Sequence, residues 1–167
     1  MRHSIAELNR VSREEFVRGV GPVFEHSPWI ATVAADKRPF ANVEELLRQL
    51  CRVVREAPES EQLGLIQAHP DLAERGVLSA ESTREQASAG LDKLLPEQRS
   101  TIQSQNQAYR GKFGFPFVIC ARLNSKDSIV DALTRRLPHS REQEIQTALE
   151  EIFKIAQLRL RDLCQPD

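Results

Sequence analysis

The stretch SREQEIQTALEEIFKIAQLRLRDL, residues 140–163, decides the fold. Ile145, Leu149, Ile152, Ala156 and Leu163 recur at steps of three, four and seven residues, the spacing that lines one face of an α-helix. Ser140 and Gln143 stand as a capping pair at its start, so the spacing predicts a helix over 140–163. Position 159 falls in the same apolar register, which turns the Arg159 guanidinium toward the core, where it needs an anion or another hydrogen-bond partner. A structural ion pair and substrate binding are equal readings of it. Arg161 lies about 200° further round, at about 100° per residue, and reads as a surface charge.

Outward from that helix the same periodicity persists. Ser4 with Glu7 and Ser12 with Glu15 are capping boxes that predict two short helices in the first fifth of the chain, the second followed by Phe16, Val17 and Val20. Gly21-Pro22 and Ser27-Pro28 break the chain, and a short helix is expected over Ile30 to Ala35. Asn42 caps a clearer helix whose Val43, Leu46, Leu47, Leu50 and Val54 form a core-facing stripe, closed at Ala57-Pro58. A helical turn from Leu63 to Ile66, a helix over Ser82 to Leu94, one opened by Pro96 and running to Tyr109, and one over Asp127 to Leu137 complete the set. The run KFGFPFVICA at 112–121 is the only strand-like stretch. One apolar run makes no sheet and Pro116 forbids a central strand, so it reads as a buried loop or helix start. The expected fold is all-α, a single compact multi-helix domain over 1–167 with no sheet.

Composition bounds the function. The chain has 167 residues, 23 Lys and Arg against 24 Asp and Glu, 28% charged and 40% hydrophobic residues, which suits one folded domain with its own core. Basic and acidic residues are interleaved, which argues against a nucleic-acid partner. Cys51, Cys120 and Cys164 are odd in number and widely spaced, giving neither a disulfide framework nor a zinc knuckle, and a reducing compartment follows. No segment approaches the roughly 18 consecutive apolar residues of a membrane span, and the N-terminus MRHSIAELNR has no signal-peptide core. A cytoplasmic location is expected.

His69 sits in QAHPDLAERG, a loop that Pro70 stiffens, and imidazole exchanges protons near neutral pH. A histidine taken at random is more often a loop or capping residue. Ser82, Glu85 and Gln86 stand at i, i+3 and i+4 and present a hydroxyl, a carboxylate and an amide on one helical face. Alone they read first as a solvated helix start. The four histidines, His3, His26, His69 and His139, are scattered without metal-ligand spacing, and no phosphate loop or GxSxG elbow is present. His69-Pro70-Asp71 matches the HPD loop of J-domain cochaperones, but Glu56, Glu59 and Glu61 stand where that module needs a basic helix.

Taken in order, FEHSPWIA at 24–31, RPF at 38–40, AHPDLA at 68–73, ESTREQASAGL at 81–91, KFGFPFVICA at 112–121 and the KIAxxRL pattern at 154–160 resemble one enzyme family, 2-oxo-4-hydroxy-4-carboxy-5-ureidoimidazoline (OHCU) decarboxylase. The resemblance spans almost the whole chain. It implies an all-helical, cofactor-free enzyme, often a homodimer, that makes (S)-allantoin and carbon dioxide in the last step of urate breakdown. It further implies functional coupling to a urate oxidase and a 5-hydroxyisourate hydrolase. Position by position, it makes His69 catalytic with Pro70 beside it in contact with substrate, and Glu85 the catalytic carboxylate. It gives Ser82, Thr83, Arg84, Gln86 and Arg159 to substrate binding, Arg159 to offset negative charge or anchor the site, and the backbone of Phe117, Val118, Ile119, Cys120 and Ala121 to the pocket wall. Leu123 and Glu74 depart from the pattern, where a smaller residue and a glycine are common, which bears on loop shape. The other readings are a J-domain-like chaperone-interaction module and a helical binding domain without activity.

Overall fold

The computed structural model describes residues 2–73 and 78–166. Among these the chain is all-α, with nine α-helices and no strand, and one isolated parallel bridge, His3 to Cys164. None of the described helices is long and apolar enough to cross a membrane. Two compact units are present: Met1–Ala68 with Phe153–Asp167, and His69–Ile152.

The first unit is built from α1 (Ile5–Arg10), α2 (Arg13–Val20), α3 (Trp29–Ala35), α4 (Val43–Glu56), α5 (Glu59–Gln67) and the end of α9 (Arg141–Leu163). Both expected capping boxes form, Ser4 with Glu7 and Ser12 with Glu15, each satisfying two N–H groups that a helix start leaves open. Asn42 caps α4 by accepting from the Glu45 N–H at 2.8 Å. The face of α4 that is buried carries Leu46, Leu50, Cys51 and Val54. α3 packs on α2 and α4, and the Phe16 and Phe40 rings stack at 6.2 Å with Arg38 over Phe16. The chain start is tied to the end of α9, His3 N–H donating to the Leu163 carbonyl at 2.8 Å and Gln165 N–H to the His3 carbonyl at 2.9 Å.

The second unit holds α6 (Ala80–Ser88), α7 (Pro96–Phe113), α8 (Lys126–Arg136) and the start of α9. The helix expected over 82–94 is shorter. α6 stops at Ser88 because Gly90 takes a left-handed conformation, φ 82°, and Leu91–Lys93 forms a separate 3-10 turn. Pro96 opens α7 as expected, and the helix runs on past Tyr109 to Phe113, where Gly114 at φ 81° ends it. From there the strand-like run crosses the interior without strand pairing. Phe113, Phe115 and Phe117 cluster about Tyr109, whose ring meets that of Phe117 edge-on at 5.3 Å. Hydrophobicity here serves aromatic packing in an irregular segment.

Leu46 is fully buried at the centre of the α4 stripe. Leu46→Ala is expected to cost about 2–5 kcal/mol, measured as the loss of unfolding free energy in urea.

Candidate active site

His69 directly follows Ala68, the C-cap residue of α5, and is only 7% exposed. The three residues beyond Pro70 are fastened to α6 and α7. The Asp71 carboxylate accepts from Arg110 Nη2 at 3.0 Å, the Leu72 carbonyl from Asn106 Nδ2 at 3.0 Å, and the Ala73 carbonyl from the Arg99 guanidinium. Ala73 N–H donates to Gln86 Oε1 at 3.1 Å. Ala73 is left-handed at φ 61°, a strained conformation for a residue with a β-carbon, and these bonds hold it there. Glu74 lies outside the described residues.

α6 starts at the N-cap Ser79, whose side chain accepts from the Ser82 N–H at 3.0 Å. Its spacing divides the expected site residues in two. Ser82, Glu85 and Gln86 are buried, at 5%, 9% and 8% exposure. Thr83 and Arg84 point to solvent; the Thr83 hydroxyl bonds back to the Ser79 carbonyl at 2.9 Å, and Arg84 sits 3.9 Å from Glu81 in an exposed pair. Burial of the Glu85 carboxylate is what a solvated helix start does not explain, because charge is costly to remove from water.

α6 packs against the 3-10 turn Ala121–Leu123 that ends the loop 117–121. Burial pushes the Cys120 thiol above its ordinary pKa. The Glu151 and Glu85 carboxylates add to the rise, against the Leu123 and Arg122 N–H groups. Glu85 is therefore within electrostatic reach of this loop. The loop's main chain is clamped at alternate residues: the Val118 carbonyl accepts from Arg136 Nη1 at 2.8 Å, and Cys120 N–H donates to Glu151 Oε1 at 3.2 Å. The Cys120 carbonyl accepts from Asn124 Nδ2 and from Leu123 N–H. Between and beyond the clamps, the N–H and C=O of Ile119 and the N–H of Ala121 have no hydrogen-bond partner among the described residues, although both residues are buried. Buried main-chain polar groups are almost always paired, so these are natural contacts for a planar polar ligand.

Behind the loop lies a buried network that sequence reasoning missed. Glu144, with no exposure at all, accepts at Oε1 from the Tyr109 hydroxyl (2.5 Å) and Arg136 Nε (2.8 Å), and its Oε2 lies 3.0 Å from His139 Nδ1. The Arg136 guanidinium also covers the Phe117 ring at 4.3 Å. Beside the apolar stripe of α9, Glu144, Ala148, Glu151 and Ile155 form a second buried row at steps of three and four. Two glutamates in such a row are the signal that was available.

Arg159, in the first unit, is 4% exposed, and its guanidinium donates to Glu25 Oε2 at 2.9 Å and to the Pro22 carbonyl at 3.2 Å. The partner demanded by its register is thus a carboxylate from the FEHSPWIA stretch, a residue the sequence reading did not single out.

Comparison with known proteins places the chain first in a class of helical lyases. It belongs to the OHCU decarboxylase family, whose pattern matches residues 9–161. The 2-oxo-4-hydroxy-4-carboxy-5-ureidoimidazoline decarboxylase of Halalkalicoccus jeotgali is 44% identical over 165 residues, covering 99% of this chain and 94% of that one. The uric acid degradation bifunctional protein of Bacillus subtilis is 39% identical over 157 residues, 94% of this chain but 32% of that longer one. A crystal structure of (S)-allantoin synthase superposes with a TM-score of 0.80 at 26% identity, covering 97% of this chain and 54% of that chain.

The Tyr109 hydroxyl donates to a buried carboxylate, a bond worth about 1.5–3 kcal/mol when one partner is charged. Tyr109→Phe is expected to lower unfolding free energy by that amount in urea, with the helical circular dichroism of the native state retained.

Proposed function

We propose that this chain is a decarboxylase of the ureidoimidazoline OHCU, releasing carbon dioxide and (S)-allantoin, with His69 and Glu85 as its catalytic groups. Family membership supports the reaction. The observation that carries the residue assignment is the burial, in one compact unit, of an imidazole and a carboxylate together with the unpartnered main-chain groups of Ile119 and Ala121.

The substrate carries its own electron sink. Its carboxylated carbon, which also bears the hydroxyl, adjoins a ring C=N bond. When the bond to the carboxylate breaks, carbon dioxide leaves and the electron pair moves into that C=N as an aza-enolate. The ring nitrogen that receives the electron pair takes up a proton, the hydroxyl-bearing carbon becomes the ring carbonyl as its own proton departs, and one proton adds to the ureido-bearing carbon. The protein's tasks are orientation, exclusion of water and delivery of that proton to one face. His69 exchanges protons with the hydroxyl and carboxylate end. Glu85, Ser82 and Gln86 hold the ring and ureido nitrogens from the buried face of α6, with Pro70 against the ring. The free groups of Ile119 and Ala121 pair with the ring edges. Thr83 and Arg84, on the outer face of α6, and Arg159, held by Glu25, are given no step.

The bifunctional Bacillus subtilis relative supports coupling to other steps of uric acid degradation. With the enzyme reading go a homodimer, a cytoplasmic location and action of residues 1–167 as one decarboxylase domain.

Urate breakdown by a urate oxidase and a hydroxyisourate hydrolase, followed by circular dichroism, tests the proposal, because spontaneous decay of the intermediate gives racemic allantoin. Added wild-type protein is expected to produce an (S)-allantoin signal quickly, and His69→Ala to slow it by about 100-fold or more. A decay unchanged by the wild type refutes the reaction; a normal rate in His69→Ala removes His69 from it.

A further inference from the structure

We propose that Arg136 is a positioning residue of this enzyme, setting the main-chain groups of Ile119 and Ala121 through its bond to the Val118 carbonyl. The inference rests on the decarboxylase reading above. Arg136 makes two contacts to the loop, Nη1 on the Val118 carbonyl at 2.8 Å and the guanidinium plane over Phe117 at 4.3 Å, and a third, Nε on Glu144 of α9 at 2.8 Å. Glu151 holds the Cys120 N–H from α9 at 3.2 Å. The clamped groups belong to residues 118 and 120, the two-residue repeat at which an extended chain turns the same edge to a neighbour. Ile119, between them, therefore turns its N–H and C=O away from Arg136 and Glu151, and neither group has a hydrogen-bond partner among the described residues.

The structural role of Arg136 in pairing Glu144 does not account for its bond to the loop. The side chain is buried, and its Nη2 makes no hydrogen bond among the described residues. Well-packed apolar residues in place of both partners commonly serve stability as well as a buried ion pair, or better. What an apolar residue cannot do is hold the Val118 carbonyl and, with it, the Ile119 N–H of the same planar peptide group. Transition-state contacts are sensitive to displacements of about 1 Å, so a loosened loop lowers kcat more than it weakens binding.

The test uses full-length Arg136→Met with steady-state decarboxylation kinetics and a thermal melt. A folded Arg136→Met with kcat reduced at least tenfold and KM changed less than threefold is the expected result. A folded Arg136→Met with wild-type kcat and KM overturns the proposal while leaving the decarboxylase reading intact. A wild type that consumes no substrate overturns both. If Arg136→Met does not melt cooperatively, the second clamp decides: Glu151→Gln keeps an acceptor for Cys120 N–H and is expected to keep kcat within threefold, whereas Glu151→Leu loses at least tenfold. Equal kcat in that pair overturns the proposal.

Discussion

The second unit depends on one buried carboxylate. Glu144, at the first turn of α9, accepts from Tyr109 of α7 and from Arg136 of α8, and thereby joins three helices at one point. These partners together compensate for taking the charge out of water, and breaking the buried ion pair with Arg136 is the costliest of the losses, about 3–5 kcal/mol. The aromatic ring of Tyr109 is fixed by the same bond, and around it Phe113, Phe115 and Phe117 pack. Arg136 carries the constraint onward to the loop 117–121. Helix packing, aromatic packing and loop geometry thus share one electrostatic origin.

Chemistry at the candidate site follows from that rigidity. The backbone beyond His69 is held by Arg110, Asn106, Arg99 and Gln86, all on α6 or α7. Gln86 belongs to the same buried face as Ser82 and Glu85, so the fastening of the histidine loop and the polar face of α6 are one structure. Groups held before substrate arrives need not be ordered during reaction, and a decarboxylation whose substrate supplies its own electron sink asks chiefly for such preorganisation.

What was legible in the sequence was local. Ser4, Ser12 and Asn42 announced helix starts because a cap and its partner lie three residues apart. The i, i+3, i+4 spacing of Ser82, Glu85 and Gln86 correctly grouped a face, and the register of Arg159 demanded an anion, which Glu25 supplies. Gly90 was the punctuation overlooked in the 82–94 expectation. Tertiary partners were not legible: Tyr109 and Glu144 are 35 positions apart, and Leu72 and Asn106 are 34. No spacing rule connects them, since their meeting depends on how whole helices pack. Glu144 and Glu151 also looked like ordinary helix charges beside a clean apolar stripe.

The proposed ligand-holding side of the 117–121 main chain is the one facing away from Arg136 and Glu151. The most direct measurement is a titration of ¹⁵N-labelled protein with (S)-allantoin, reading amide resonances along the loop. Large, saturable shifts are expected at the Ile119 and Ala121 amides and a smaller one at Cys120, whose N–H is already bound to Glu151. Saturable binding that leaves Ile119 and Ala121 unshifted, with perturbations elsewhere in the chain, would contradict it.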